Sequence, residues 1–241
     1  MSEIPRNRFL ASLPGADRDR LAPSLRREYL KQGTSLSKAG HPLRYVYFPE
    51  GAVASIIVPA EKGNSVEAGL VGYEGLTGAM ELCGNGVSLH DCVIQVAGSA
   101  VRTDARFLEA EFQRSVPIRA LLLRYNQYLF GQVAQTALCN RVHSIDQRLG
   151  RWLLMCGDAS GSSELDLTQE YIATMLGVQR SGITLAAQAL EAAGAIRYTR
   201  GSIIIHDRTK LEGLTCRCYQ AVREQERQLP DEPRPADAVG A

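Results

Sequence analysis

Between Leu167 and Ile205 the chain places two short helical runs around a glycine and follows them with two extended runs, an order that few folds accommodate. Tyr171, Ile172, Met175 and Leu176 fall on one side of a helix, and Thr168 in front of them can accept from that helix's first free N–H groups. Leu176-Gly177-Val178 then breaks the run, because glycine enters the left-handed conformation that a sharp turn requires while Leu and Val fill the corner. A second helix is predicted from about Gln179, with Ile183, Ala186, Ala187, Leu190 and Ala193 inward and Gln179, Arg180, Ser181, Thr184, Leu185 and Gln188 outward. Gly194 stops it. Ile196-Arg197-Tyr198, a turn over 199–202, and the β-branched Ile203-Ile204-Ile205 form a two-stranded wing. The pattern is that of a winged helix-turn-helix; the plainer alternative is a helical hairpin backed by a β-hairpin.

Charge favours the first reading. From Val178 to Ile203 the chain carries Arg180, Arg197 and Arg200 against Glu191, a local balance of +2. Arginines at a helix start and on a wing suit phosphate contact and the reading of base edges in double-stranded DNA. The whole chain is near neutral, at +1, so such binding would depend on a few placed contacts and not on a broad basic surface.

At 241 residues, 45% hydrophobic and 22% charged, the composition fits a soluble protein of two modest domains. It has no apolar run of eighteen residues and begins without an export pattern, so no membrane partner and a cytoplasmic location are expected. Upstream of the helical pair, 7–30 reads as helix-like and basic, broken at Pro14-Gly15. From Lys31 to about Arg102 come short strand-like runs at 45–48, 53–58, 66–71 and 92–96, punctuated by Gly and Pro as in a barrel or jelly roll. A helical run follows from Thr103 to Phe112, capped by Thr103 or Asp104. Ser115 then caps a long helix with Pro117 harmlessly in its first turn.

That long helix carries two apolar stripes. Ile118, Leu122, Tyr125, Leu129, Val133 and Ala137 make one, and Leu123, Phe130, Ala134 and Leu138 make the other. One stripe can cover the β-rich region and the other needs a partner, which implies a two-fold homodimer; a helix buried between two domains of a monomer is the alternative. The expected division is an N-terminal β-roll sensor domain over 1–114, a dimerisation helix over 115–143 carrying the Ile118 to Ala137 stripe, a winged domain over 144–213, and a C-terminal helix with a disordered Pro-rich tail over 214–241.

The segment Leu167-Thr168-Gln169-Glu170-Tyr171-Ile172-Ala173-Thr174-Met175-Leu176-Gly177-Val178-Gln179-Arg180-Ser181, with Leu190-Glu191-Ala192-Ala193-Gly194-Ala195-Ile196 after it, closely resembles the DNA-binding domain of the Crp/Fnr family of bacterial transcription regulators. The resemblance reaches upstream to about residue 10. It implies an α+β chain with a β-roll like that of cyclic nucleotide-binding domains, acting as a dimer on DNA, with RNA polymerase as a further partner. By that resemblance Thr168 and Gln169 touch phosphate, Gln179 and Arg180 reach base edges beside Ser181, Thr184 and Gln188, and Arg200 meets the backbone from the wing. A ligand-sensing subunit whose winged helix binds protein is the rival reading.

The chain departs from the family where cyclic AMP is held. Gly78 is followed by Ala79 where a Gly-Glu pair holds the ribose, and 86–91 lacks the arginine that pairs with the phosphate. The effector is therefore left unassigned. An anionic one beside Arg114, Arg119, Arg124 and Arg141 is one reading, and pairing or solvation of those arginines is the plainer one. The first cysteine is Cys83, which argues against the N-terminal iron-sulfur cluster of one branch; His41, His90 and Cys83 leave haem formally open. Cys216-Arg217-Cys218, with one intervening residue, suits neither a zinc knuckle nor a redox dithiol, so no metal, cofactor or catalytic residue is expected.

Overall fold

A computed structural model describes residues 6–59, 65–199 and 201–230. The chain opens with helices α1 (Arg8–Ala11) and α2 (Gly15–Leu21), the second entered through Pro14. Strands β1 (Arg26–Leu30), β2 (Ser35–Ser37), β3 (Tyr45–Pro49), β4 (Val53–Pro59) and β5 (Ser65–Val71) follow. After helix α3 (Ala79–Leu82) come β6 (Asp91–Val96) and β7 (Gly98–Asp104). They form two antiparallel sheets, ordered β1-β7-β3 and β2-β6-β4-β5. Residues 26–30, read as helix, are strand: their backbone pairs antiparallel with β7, and Arg26 lies opposite Arg102 while Leu30 lies opposite Gly98. Thr103 likewise belongs to β7, opposite Val46, so Asp104 is the cap of helix α4 (Ala105–Arg114).

Helix α5 (Val116–Val142) is capped by Ser115, whose hydroxyl accepts from the N–H of Ile118. Its first stripe lies against the roll. Ile118, Leu122, Tyr125 and Leu129 are buried within the protomer, and Gln132 beside them donates to the carbonyl of Leu70 at 3.2 Å and accepts from that residue's N–H. Assigning this stripe to a partner molecule is thus corrected: those side chains complete the roll's own core. Val133 is half-buried and Ala137 exposed. The second stripe faces outward, with Leu123 at 52%, Phe130 at 72% and Leu138 at 51% exposure.

Helix α6 (Ile145–Ser160) begins in a reciprocal capping box between Ser144 and Gln147 and carries the fully buried Trp152. Next come β8 (Glu164–Leu165), α7 (Gln169–Leu176), α8 (Arg180–Ala192), β9 (Ile196–Thr199), β10 (Ser202–Ile205), α9 (Arg208–Leu214) and α10 (Cys218–Glu226). The wing has three strands, not two, because β8 pairs with β10 through Leu165 and Ile203. The single C-terminal helix expected from 214 onward is preceded by another, α9, which ends at the exposed Leu214, and itself begins only at Cys218. Leu229 and Pro230 are held in place: Leu229 is buried, and the Arg8 guanidinium donates to the carbonyls of Glu226, Leu229 and Pro230. The rest of the proposed tail, 231–241, lies outside the described residues, as does the turn at 62–64. No helix among the described residues is long and apolar enough to cross a membrane.

The winged region docks on the outer face of the four-stranded sheet. Strand β4 is therefore buried on both sides from Val53 to Ile57. The seam contains a polar chain. Trp152 Nε1 donates to Glu67 Oε1 at 2.9 Å, and Ser55 Oγ lies 2.7 Å from Glu67 Oε2 and also contacts Gln95 Oε1. Gln95 Nε2 in turn donates to Cys156 Sγ. Ser55 owns one proton and faces two acceptors, an arrangement satisfied when Glu67 is itself protonated and donates to Ser55. Burial pushes the Glu67 carboxyl up to about 7, against the opposing pull of the Ser55 and Trp152 hydrogen bonds.

Candidate nucleic-acid interface

Thr168 is exposed and caps α7, its hydroxyl accepting from the N–H of Tyr171 at 3.2 Å. Gly177 ends that helix at φ +62, with the Val178 N–H closing back on the Ala173 carbonyl at 3.0 Å; an added Cβ would also meet Val66 on β5 at 3.2 Å. The Arg148 guanidinium donates to the Leu176 carbonyl and holds the corner from below. This close is what swings α8 away from the sheet.

Helix α8 buries Ile183, Ala186, Ala187 and Leu190 against α6 and α7. Ala193, predicted on that inner side, is exposed at the helix end, one residue before the left-handed Gly194. Gln179, Arg180, Ser181, Leu185 and Gln188 are exposed on the opposite side. Gln179 is the N-cap without a side-chain cap bond, so N–H groups of the first turn point outward with the positive end of the helix dipole. Thr184 is half-buried, and its hydroxyl donates to Gln169 Oε1 at 2.8 Å, joining the two helices across their turn. Arg180 lies 3.9 Å from Glu170 with both side chains largely exposed, a loose pair that leaves the guanidinium accessible.

Glu191, the one acidic group set against the local arginines, accepts from the Tyr198 N–H at 3.0 Å and anchors the first wing strand. Ser202 faces Thr199 across the wing's two-residue turn, where Gly201 stands at φ +93. Arg200 in that turn lies outside the described residues. The structure thus brings Thr168, Gln169, Gln179, Arg180, Ser181, Thr184 and Gln188 onto the packed pair α7 and α8. Glu170 and Leu185 join them there. Exposure of Leu185 follows from its helical position between Ile183 and Ala187.

Inside the roll, beside α3, the described residues leave little open space. The cavity between β4, β5, α3, β6 and α5 is about 20 Å³, room for roughly one water. Glu81 and Asp91 line it, with Gly78, His90 and Leu129 and without arginine or lysine. Two of the four helix arginines are engaged within the protomer, Arg114 with Glu111 at 2.7 Å and Arg119 with the carbonyls of Phe112 and Gln113. Arg124 and Arg141, by contrast, are exposed, and Arg124 lines a cavity of about 850 Å³ with Gln127, Tyr128, Phe130 and Arg227.

A β-roll joined by a long helix to a winged helix-turn-helix defines a two-domain regulator architecture. Residues 147–214 match the Crp-like helix-turn-helix domain family. Among solved structures, the chain is similar to a protein from Eubacterium rectale assigned to the Crp/Fnr family of transcriptional regulators, at 19% identity over 84% of this chain and 94% of that one, with a TM-score of 0.65. It is similar to FixK2 from Bradyrhizobium japonicum at 14% identity, 80% and 98% coverage and a TM-score of 0.66. It also resembles the c-di-GMP responsive global regulator CLP of Xanthomonas campestris, at 15% identity, 80% and 99% coverage and a TM-score of 0.62. No curated protein matches the chain by sequence. The chain therefore carries a Crp-like helix-turn-helix domain within the fold of Crp/Fnr regulators.

Proposed function

We propose that this protein is a sequence-specific DNA-binding transcription regulator that acts as a homodimer on a two-fold symmetric site. The observation that carries the reading is helix α8: it buries an Ile/Ala/Leu side and presents Gln179, Arg180, Ser181, Leu185 and Gln188, with an uncapped N-terminus, to solvent. Arg180 has the reach and charge for a guanine edge, Leu185 suits a thymine methyl, and the first-turn N–H groups suit phosphate. Thr168 flanks this face as a backbone contact, and the family resemblance gives Arg200 the same role. The exposed Leu123, Phe130, Ala134 and Leu138 stripe of α5 supplies the dimer contact, holding two copies of α8 about one helical turn of DNA apart.

The effector is not cyclic AMP in this reading. A closed cavity lined by Glu81 and Asp91 repels a cyclic phosphate and offers it no cationic partner. RNA polymerase is the downstream partner that the family resemblance implies.

Selection of bound fragments from genomic DNA, followed by binding to the recovered site, tests the proposal. Recovered sequences should show inverted half-sites about 10 base pairs apart. Arg180→Ala should cost about 1–3 kcal/mol on the best site and relax preference at one position. A folded dimer that retains no DNA selectively at moderate salt would instead favour the reading in which the winged helix binds protein.

A further inference from the structure

Cys216-Arg217-Cys218 has no zinc-type partner pair within its own segment, but the fold brings one to it from 73 or more residues away. Cys139 and His143 stand four apart at the end of α5, on the same side of the helix. The turn after α9 delivers Cys216 and the first residue of α10 delivers Cys218. The three sulfurs and an imidazole nitrogen all lie within 4.8 Å of one another. Cys139 Sγ and Cys216 Sγ are 3.5 Å apart, and Cys218 Sγ is 3.5 Å from His143 Nδ1.

These separations match a specific coordination geometry. Zinc bonds of about 2.3 Å to sulfur and about 2.0–2.1 Å to nitrogen, set tetrahedrally, need S···S near ~3.8 Å and S···N near ~3.6 Å. Both observed distances fall within a few tenths of an ångström. A disulfide would need the sulfurs at about 2.05 Å. Casual packing of small apolar thiols also fits poorly, because the three cysteines are buried as a cluster of their own, apart from the main core, with an imidazole turned to them.

The surroundings match as well. Gln135 Nε2 donates to Cys218 Sγ at 3.1 Å, the kind of outer hydrogen bond that orients a thiolate ligand. Three thiolates, a neutral imidazole and a dication sum to one negative charge, which a buried site must offset. Arg151 is buried where its charge acts on Cys139. One of its terminal nitrogens donates to Thr136 Oγ1, and the other, Nη1, has no hydrogen-bond partner among the described residues.

We propose that Cys139, His143, Cys216 and Cys218 form a tetrahedral binding site for a zinc-class divalent ion. Sulfur and imidazole ligands without a carboxylate select this class over calcium or magnesium. The ion ties the last turn of α5, at the joint between roll and winged domain, to the start of α10, and so fixes the angle at which α8 is carried. The site stands on its own residues and does not depend on the DNA-binding reading.

The test uses the full chain, purified reduced and without chelator, with bound metal measured by mass spectrometry. About one zinc per chain is expected. Cobalt(II) replacing it should give the thiolate-to-metal absorption and ligand-field bands of a tetrahedral sulfur-rich site. Cys216→Ser and His143→Ala should each weaken zinc binding at least about tenfold, against a chromophoric chelator as competitor, while Cys83→Ser at an exposed thiol leaves it unchanged. Should those variants fail to fold, the same competition on the native chain reads stoichiometry and affinity directly. Any of three outcomes overturns the site: folded, reduced protein that takes up no zinc, a cobalt spectrum without thiolate absorption, or equal metal loss in Cys83→Ser.

Discussion

The two sides of α5 have nearly the same composition and opposite fates. Toward the roll, Ile118, Leu122, Tyr125 and Leu129 are sealed; away from it, Leu123, Phe130 and Leu138 stand in solvent on the protomer. Hydrophobicity alone does not separate them. Polar matching does: Gln132 on the inner side meets both backbone groups of Leu70, and Asn126 donates to the Ala79 carbonyl at 2.9 Å. A stripe that carries such partners is committed to one neighbour, whereas a purely apolar stripe stays open to another molecule. Substitutions on the two sides should therefore fail in different ways.

The largest effect belongs inside. Leu122→Ala should cost about 2–5 kcal/mol of folding stability by opening a cavity between helix and roll, read from denaturant unfolding. The contrast breaks if Leu123→Ala, at protein concentrations low enough to keep the chain monomeric, costs as much. Phe130→Glu comes next and acts on association. It should raise the dimer dissociation constant at least about a hundredfold, near 3 kcal/mol, in sedimentation experiments while the monomer unfolds as before. An unchanged dimer would remove α5 from the interface.

The longer helices were legible in the sequence, since the 3.6-residue spacing, Ser115, Thr168 and Gly177 mark them locally, whereas the one-turn α3 and the split of α9 from α10 were not. The β-roll was legible as a class, but Arg26–Leu30 was not: five residues of mixed charge become a strand only because β7 offers an open edge. Which stripe of α5 turns inward was equally hidden, because the deciding contacts join residues more than sixty apart, as Gln132 and Leu70 show. The same limit concealed the cysteine cluster. Cys216 and Cys218 reveal nothing by spacing until α10 lies along α5 and brings Cys139 and His143 to them. The outward side of α8 was readable because nothing distant covers it, except at Thr184.

At the seam between the domains a carboxyl, Glu67, is buried as α5's inner side is, but its charge changes with pH. With Glu67 held at about 7 by burial, against an ordinary 4.5, the folded chain keeps a proton that the unfolded chain releases. Stability from this group is complete below about pH 4.5, falls as pH rises toward 7, and stays lower above it. Glu67→Gln keeps an acceptor for Trp152 and a donor for Ser55. Relative to the native chain it should gain about 1–3 kcal/mol between pH 5 and pH 8, in paired denaturation curves. Some pH dependence should persist, because burial also raises Glu74 to about 7. An effect of Glu67→Gln that is the same at both pH values would show that Glu67 is ionised in the folded state.

The smallest effect tests the boundary between holding a helix and reading with it. Thr184 belongs by spacing to the outer side of α8, yet its hydroxyl donates to Gln169 Oε1 on α7, with the Arg180 carbonyl 3.1 Å away as a second acceptor. Thr184→Val preserves the shape and removes the hydrogen bond. If the pair acts only as a brace, stability should drop by about 0.5–1.5 kcal/mol and affinity should weaken alike on preferred and scrambled DNA. A loss confined to the preferred site would mean that Gln169 and Thr184 exchange this bond for contacts to DNA on binding. In that case the helix pair rearranges at the interface, and the rigid orientation of α7 against α8 seen in the free protein is not the one that reads the duplex.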